Sequence, residues 1–135
     1  MLIQTLLGDL SILTSLRTGW LHSLRAGLWS GAFEPRHDST IGELGPASFS
    51  GYSGLRDMIT WNTPVITGSR AVMQHGELLW HHDGGPDVDM VAGYYVVDTD
   101  GTLVWAEVRS AGPVLMQSAT DVYRLVPAYT IRSEF

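Results

Sequence analysis

Apolar positions change their spacing once along this chain. In residues 2–16, Ile3, Leu6, Leu7, Leu10, Leu13 and Leu16 recur every three or four positions, the stripe of an amphipathic helix. Gly8 weakens the middle of that stripe, and Thr5 or Asp9 offers a cap for a shorter piece. After Gly19 the pattern shifts: "WLHSLRAGLW" reads as strand and "EPRHDST" as loop. A boundary therefore falls near Trp20, with an N-terminal amphipathic helix or arm over residues 1–20 and a β domain over residues 21–135. Strands are expected at about 21–30, 47–52, 57–62, 70–74, 77–82, 91–98, 102–109, 113–117 and 121–132, to within roughly two to four residues at each end. Turn signals separate them: "GELGP", "GYSG", "NTP", "HGE", "HDGGPD", "DTDG" and "SAGP". Many short strands with turns at this spacing predict a mainly β fold, a jelly-roll-like antiparallel β-sandwich or a barrel, carrying the N-terminal helix or arm.

The clearest stretch is "YYVVDTDGTLVWAE", residues 94–107. Two apolar runs flank Asp100-Gly101, a strong hairpin signal. A two-residue turn would pair Thr99 with Thr102 and Val97 with Val104, with Gly101 at positive φ, where glycine is cheap. One face then carries Tyr95, Val97, Val104, Ala106 and Val108, and the other Tyr94, Val96, Leu103, Trp105 and Glu107. Both faces are largely apolar, whereas a hairpin with one wet face alternates apolar and polar residues. The pattern predicts cover on both sides, by a facing sheet and by either the N-terminal helix or another subunit. The arm is too short to be stable as a lone helix. Leaving its leucines wet would cost about 1.5–3 kcal/mol each. Leu6, Leu10, Leu13 and Leu16, with Trp20, Tyr94 and Trp105, are the candidate interface residues. Burial of the arm against a neighbouring subunit or a larger shell on which the protein docks is the leading expectation, and packing on its own β domain is the alternative.

Composition narrows the partners. A chain of 135 residues fits one domain and can bury a core without staples. It has no cysteine, which excludes disulfides and Cys-based zinc sites. With 44% hydrophobic residues, 15 Gly and 6 Pro, it reads as folded and turn-rich. The net charge of −6 argues against a nucleic-acid partner, which would need a basic surface. All eight basic residues are Arg, a side chain suited to interface ion pairs, although codon bias explains the count equally well. The N-terminal stretch lacks a basic leader and a cleavage site, and Asp9, Arg17, His22 and Arg25 interrupt it, so neither a signal peptide nor a membrane span is expected.

Candidate chemistry centres on "LLWHHDGGPDVD". His75, His81, His82 and Asp83 offer metal-ligand types. Adjacent strand residues point to opposite faces, however, so His81 and His82 cannot easily share one ion. Asp83, Asp87, Asp89, Asp98 and Asp100 are hard oxygen ligands, but "DTDG" lacks the twelfth-position Glu of a calcium loop, and turn geometry suffices to explain it. "FSGYSGL" lacks the spacing of a nucleophile elbow, and no phosphate loop, dinucleotide fingerprint or HExxH occurs. No catalytic, cofactor or metal residue is expected. The five tryptophans, Trp20, Trp29, Trp61, Trp80 and Trp105, read as core or interface residues before a sugar-binding face.

Several stretches in their order carry a resemblance: "LHSLRAGLWSGAFEPRHDSTIGELGPASFSGY", "ITWNTPVI", "VAGYYVVDTDGTLVWAEV" and "YRLVPAYTI", roughly residues 21–132, about the size of one domain. Together they resemble short uncharacterised β-proteins of tailed phages and environmental bacteria, similar to small virion components that include capsid cement or decoration proteins. The most specific pieces are Phe49-Ser50-Gly51-Tyr52 and residues 93–107. The first twenty residues and "HHDGGPDVD" depart from the pattern. The resemblance implies a virion location, the major capsid protein or another virion protein as partner, and a homo-oligomer, most naturally a trimer. A receptor- or glycan-binding module of a tail or fibre is the alternative, and a small hydrolase or metal-dependent enzyme is a third reading.

Overall fold

The structure, a computed structural model, describes residues 19–68 and 70–132. The expected helix and its leucines Leu6, Leu10, Leu13 and Leu16 lie outside the described residues. Eleven strands follow in order: β1 (Arg25–Ser30), β2 (Gly45–Pro46), β3 (Arg56–Asp57), β4 (Val65–Thr67), β5 (Arg70–Gln74), β6 (Leu78–His81), β7 (Asp89–Val97), β8 (Leu103–Val108), β9 (Val114–Met116), β10 (Val122–Leu125) and β11 (Ala128–Arg132). Two 3-10 turns, Trp20–Ser23 and Ile41–Glu43, are the only helical segments among the described residues. The fold is mainly β, in antiparallel sheets, and no closed barrel forms among the described residues.

The chain divides into two compact units. Of the described residues, unit 1 gathers 19–23, 58–68, 70–77 and 125–132, and unit 2 gathers 24–57 and 78–124. Unit 2 holds a six-stranded sheet of order β2-β1-β7-β8, with β3 also on β1 and β9 also on β7. Its centre is β7, whose apolar run demands cover on both faces. The demand is met: Val91, Tyr94, Tyr95, Val96 and Val97 are all buried. β8 is half-buried from Leu103 to Ala106 and exposed at Glu107 and Val108, so the double cover expected for the whole hairpin holds for β7 only.

Glycines in β1 and β7 make room for rings on the facing strand. Gly27 pairs with Tyr95 and Gly93 with Trp29. A Cβ on Gly27 would sit 2.7 Å from the Tyr95 ring, and one on Gly93 would sit 2.6 Å from Trp29. Each aromatic lies across the glycine opposite, which restores the packing that a strand glycine otherwise forfeits. Trp29, Tyr95, Val97 and Leu44 form a cluster edged by Phe33, Leu103 and Ala106.

The hairpin keeps its expected body and changes its turn. Tyr95 faces Ala106 and Val96 faces Trp105, as the pattern required. Asp98 and Thr102 then close a three-residue loop: the Gly101 N–H donates to the Asp98 carbonyl at 3.1 Å, and the Asp98 N–H to the Thr102 carbonyl at 3.1 Å. A bulge beside Val97 absorbs the extra residue and sets Val97 opposite Leu103, not Val104. The Asp98 carboxylate selects this turn by accepting the N–H groups of Asp100 and Thr102 at 2.9 and 3.0 Å. Gly101 has φ +81°, as expected.

Elsewhere the boundaries are corrected. The strand expected at 21–30 starts as the Trp20–Ser23 turn, and the one expected at 47–52 is a loop. At 57–62 only β3 and the isolated Trp61–His75 bridge remain. The strand expected at 121–132 breaks at Val126-Pro127, since proline has no N–H to give a ladder. Unit 1 holds the sheet β11-β5-β4, with Ala71 and Met73 of β5 fully buried. β6 pairs with β10 in a separate two-stranded sheet.

Candidate functional site

Two unusual stretches of the sequence, "FSGY" and "HHDGGPDVD", meet in unit 2. The Tyr52 N–H donates to the Phe49 carbonyl at 3.0 Å, folding Phe49-Ser50-Gly51-Tyr52 into a turn. Gly51 sits in that turn at φ +88°, where a Cβ would lie 2.8 Å from the Asp83 nitrogen. The turn therefore rests directly on the loop after β6. Ser50 is the fastening point. Its N–H donates to the Asp87 carbonyl at 3.0 Å, its carbonyl accepts the Asp83 N–H at 3.1 Å, and its Oγ accepts the Asp87 N–H at 2.8 Å. Two residues earlier, the Ser48 N–H donates to Asp89 Oδ2 at 2.8 Å.

His82 closes this clasp from inside. It is 2% exposed and stacks on Phe49, with ring centres 6.0 Å apart and planes 17° from parallel. Gly84 donates its N–H to Nδ1 at 2.9 Å, so Nδ1 carries no proton, and Nε2–H donates to the Asp87 carbonyl at 2.8 Å. A backbone donor thus fixes the tautomer. His81, next in the strand, is exposed. The two histidines diverge, as alternation required.

Among the described residues no three His, Cys, Asp or Glu side chains gather around one point. The aspartates of the expected ligand stretches serve turns. Asp83 Oδ1 accepts the Gly85 N–H at 2.9 Å, and Asp89 Oδ1 accepts the Met90 N–H at 2.8 Å. Asp121 does the same for Gln117 and Ser118, and those backbone donors hold its carboxyl below the usual range.

A second histidine node lies in unit 1, and sequence reasoning did not see it. Thr60 Oγ1 is 3.2 Å from His75 Nε2, a hydroxyl beside an imidazole. Nδ1 lies 2.8 Å from the Gly76 carbonyl and donates there, which leaves Nε2 as the acceptor. The Thr60 N–H already donates to Nε2 at 3.1 Å, so the single lone pair is taken. The arrangement joins two segments and leaves no base to activate the hydroxyl. Burial above all, with the charge of His22 adding and the Gly76 carbonyl opposing, lowers the His75 pKa from its ordinary 6.5.

The described interface candidates fall in three settings. Trp20 is 40% exposed and meets Tyr129 edge to face. Trp105 is half-buried and donates Nε1–H to the Tyr94 hydroxyl at 3.1 Å, while Tyr94 belongs to the core of unit 2. Trp29, Trp61 and Trp80 are core residues. Along the outer side of β8, where no strand is paired among the described residues, a groove of about 330 Å³ runs between Leu103–Ala106 and the loop containing Pro35, Arg36, His37 and Ser39. Farther along the same sheet, Met90 and Leu115 face each other across β7 and β9, each more than one-third exposed.

No described helix is long and apolar enough to cross a membrane. Compared with protein-family models, curated proteins and solved structures, the chain matches none.

Proposed function

We propose that this chain is a structural subunit of a tailed-phage virion, acting through protein–protein contacts as a capsid cement or decoration protein. The observation that carries the reading is the outer edge of β8. The strand reads Leu-Val-Trp-Ala-Glu-Val, with one charge and neither Pro nor Lys, the residues that usually blunt an exposed edge. An edge of this kind is a template for a strand from another chain. The exposed Met90–Leu115 pair adds apolar surface on the same sheet. The stretches Phe49–Tyr52 and 93–107 supply the resemblance to virion components. The finer architecture, a jelly-roll-like sandwich, belongs to the same proposal, as do the partner, a major capsid or other virion protein, and a homo-oligomer with a trimer favoured. A glycan-binding module of a tail or fibre needs an exposed tryptophan cluster, and it draws no support from Trp29, Trp61 and Trp80 in the core.

The direct test is quantitative mass spectrometry of washed particles. A fixed copy number of this chain per particle is expected, and its absence from washed particles rejects the proposal. Two variants then locate the contact. The Arg109 N–H donates to the Ala92 carbonyl on β7, so strand alternation turns the Ala106 N–H outward. Ala106→Pro therefore removes a donor from the free edge alone and should weaken particle binding while the protein still folds. Deletion of residues 1–18 tests the leucine stripe by sedimentation: loss of assembly by a folded protein assigns it to an interface, and failure to fold assigns it to the chain's own core.

A further inference from the structure

We infer that His75 is a proton-operated latch: neutral, it holds the Trp20–Ser23 turn to the sheet of unit 1, and protonated, it releases it. The connection is continuous. The His75 backbone N–H donates to the Pro127 carbonyl at 2.8 Å, just before β11. Its Nε2 accepts the Thr60 N–H at 3.1 Å, and the Thr60 carbonyl accepts the Gly76 N–H at 2.9 Å. The next residue, Trp61, bridges to His75 and meets its ring edge to face at 5.1 Å. Trp61 Nε1–H in turn donates to the Leu21 carbonyl at 3.0 Å, and Leu21 is fully buried. One imidazole thus sits behind the attachment of the 3-10 turn to the sheet of unit 1.

Protonation works against this geometry. Nδ1–H is already committed to the Gly76 carbonyl, so a second proton must go on Nε2. It would point at the Thr60 N–H, setting donor against donor. The Thr60 hydroxyl, 3.2 Å away, can accept the new N–H only while the Thr60 amide is left without its acceptor. The ring is 1% exposed, so the cation also loses hydration. The charged and titratable groups of unit 1 among the described residues are His22 on the Trp20–Ser23 turn, Arg70 and Arg132 on β5 and β11, Glu77, and Tyr129. His22 opposes a second positive charge, and no carboxylate figures among the influences on His75. Its folded pKa is lowered, so the unfolded or opened state takes the proton first. The latch is fully held above the unfolded pKa of 6.5 and weakens as pH falls through the folded value.

The test is hydrogen exchange of the full chain between pH 7.5 and 5, corrected for intrinsic rates. Exchange in residues 19–23 and 58–62 is expected to rise severalfold toward pH 5, because the opened state takes a proton that the closed state resists. Amides of β7 in unit 2 serve as the internal reference and should not change. His75→Gln, neutral throughout, should abolish the pH dependence, and His22→Gln, which removes an opposing charge and so raises the folded His75 pKa toward its ordinary value, should keep it but with a smaller amplitude. Equal protection of 19–23 and 58–62 at both pH values, or an unchanged pH profile in His75→Gln, overturns the latch. If His75→Gln does not fold, ¹⁵N chemical shifts of the wild-type imidazole decide. Protonation of Nε2 together with the rise in exchange supports the latch, and protonation with protection intact rejects it.

Discussion

Gly93→Ala should be among the most damaging single-methyl additions in unit 2, and Gly101→Ala should be much milder. The two glycines exist for different reasons. Gly101 has φ +81° and open space around it, so an alanine there faces only backbone strain, about 1–2 kcal/mol for a left-handed residue. Gly93 does not have positive φ, but it has no room. An added Cβ would collide with the Glu107 carbonyl oxygen and lie 2.6 and 2.9 Å from Trp29 Cη2 and Cζ3, where ordinary contact is 3.4–4 Å. The ring would have to retreat by most of an ångström, and Trp29 is fully buried. The Glu107 carbonyl sits on a paired strand and would have to move as well. Overpacking a filled site costs about 1–3 kcal/mol, occasionally more. With ring and backbone both displaced, about 3 kcal/mol is expected, a fall in Tm of at least about 6 °C for a chain of this size. Thermal and urea unfolding, followed by near-ultraviolet circular dichroism of the tryptophans, measure it. A cavity-making partner sharpens the test: Trp29→Phe should recover part of the Gly93→Ala loss, leaving the double variant more stable than the two single effects predict. If Gly93→Ala stays within 1 kcal/mol of wild type, or proves milder than Gly101→Ala, the packing of Trp29 over Gly93 is wrong.

Other outcomes follow from the same contacts. Phe49→Ala should cost about 3–5 kcal/mol by chemical denaturation, since Phe49 is buried beneath Tyr52 and His82. Gly101→Val should exceed Gly101→Ala, because a β-branched side chain suits positive φ least, and an unchanged melting temperature would contradict the turn. Ser50→Ala should cost only about 0.5–1.5 kcal/mol, since the exposed Asp87 N–H loses its acceptor but can turn to water, with faster exchange of that amide as the specific sign. Burial pushes the Tyr52 phenol up to about 12 and raises those of Tyr94, Tyr95 and Tyr123 as well. The unfolded phenols therefore ionise first, near 10, and stability should be intact below that pH and fall above it. Ultraviolet titration should show most of the five tyrosines ionising only as the protein unfolds.

Legibility in the sequence followed the strength of local signals. The apolar run of β7 announced its double burial, and the period of two carried the hairpin register from Tyr94 to Trp105. The turn type was not readable from Asp100-Gly101, because the deciding group was the Asp98 carboxylate, which accepts from two amides at once. The loop at 47–52 looked like a strand because Phe49 and Tyr52 are aromatic, yet its amides are satisfied by Asp87 and Asp89 carbonyl and carboxylate oxygens far along the chain. That pairing left no periodic trace. "FSGY" and "HHDGGPDVD" were therefore legible as two unusual stretches but not as one clasp. Thr60 and His75 were less visible still, since a threonine and a histidine fifteen residues apart match no motif.

The division of the chain into interleaved units sets an order of manufacture. Every strand of the six-stranded sheet, from β1 to β9, leaves the ribosome before β11 does, so unit 2 can complete itself while unit 1 waits. During that interval β4 and β5 have only each other, and a lone two-stranded ribbon is marginally stable in water. Val65 and Ile66 of β4 are exposed even in the finished fold, so the waiting ribbon is an adhesive surface. Premature termination ahead of Ala128 would thus not merely shorten the product. It would release chains with a finished sheet in unit 2 and an unfinished one in unit 1, the form most prone to capture one another through β5.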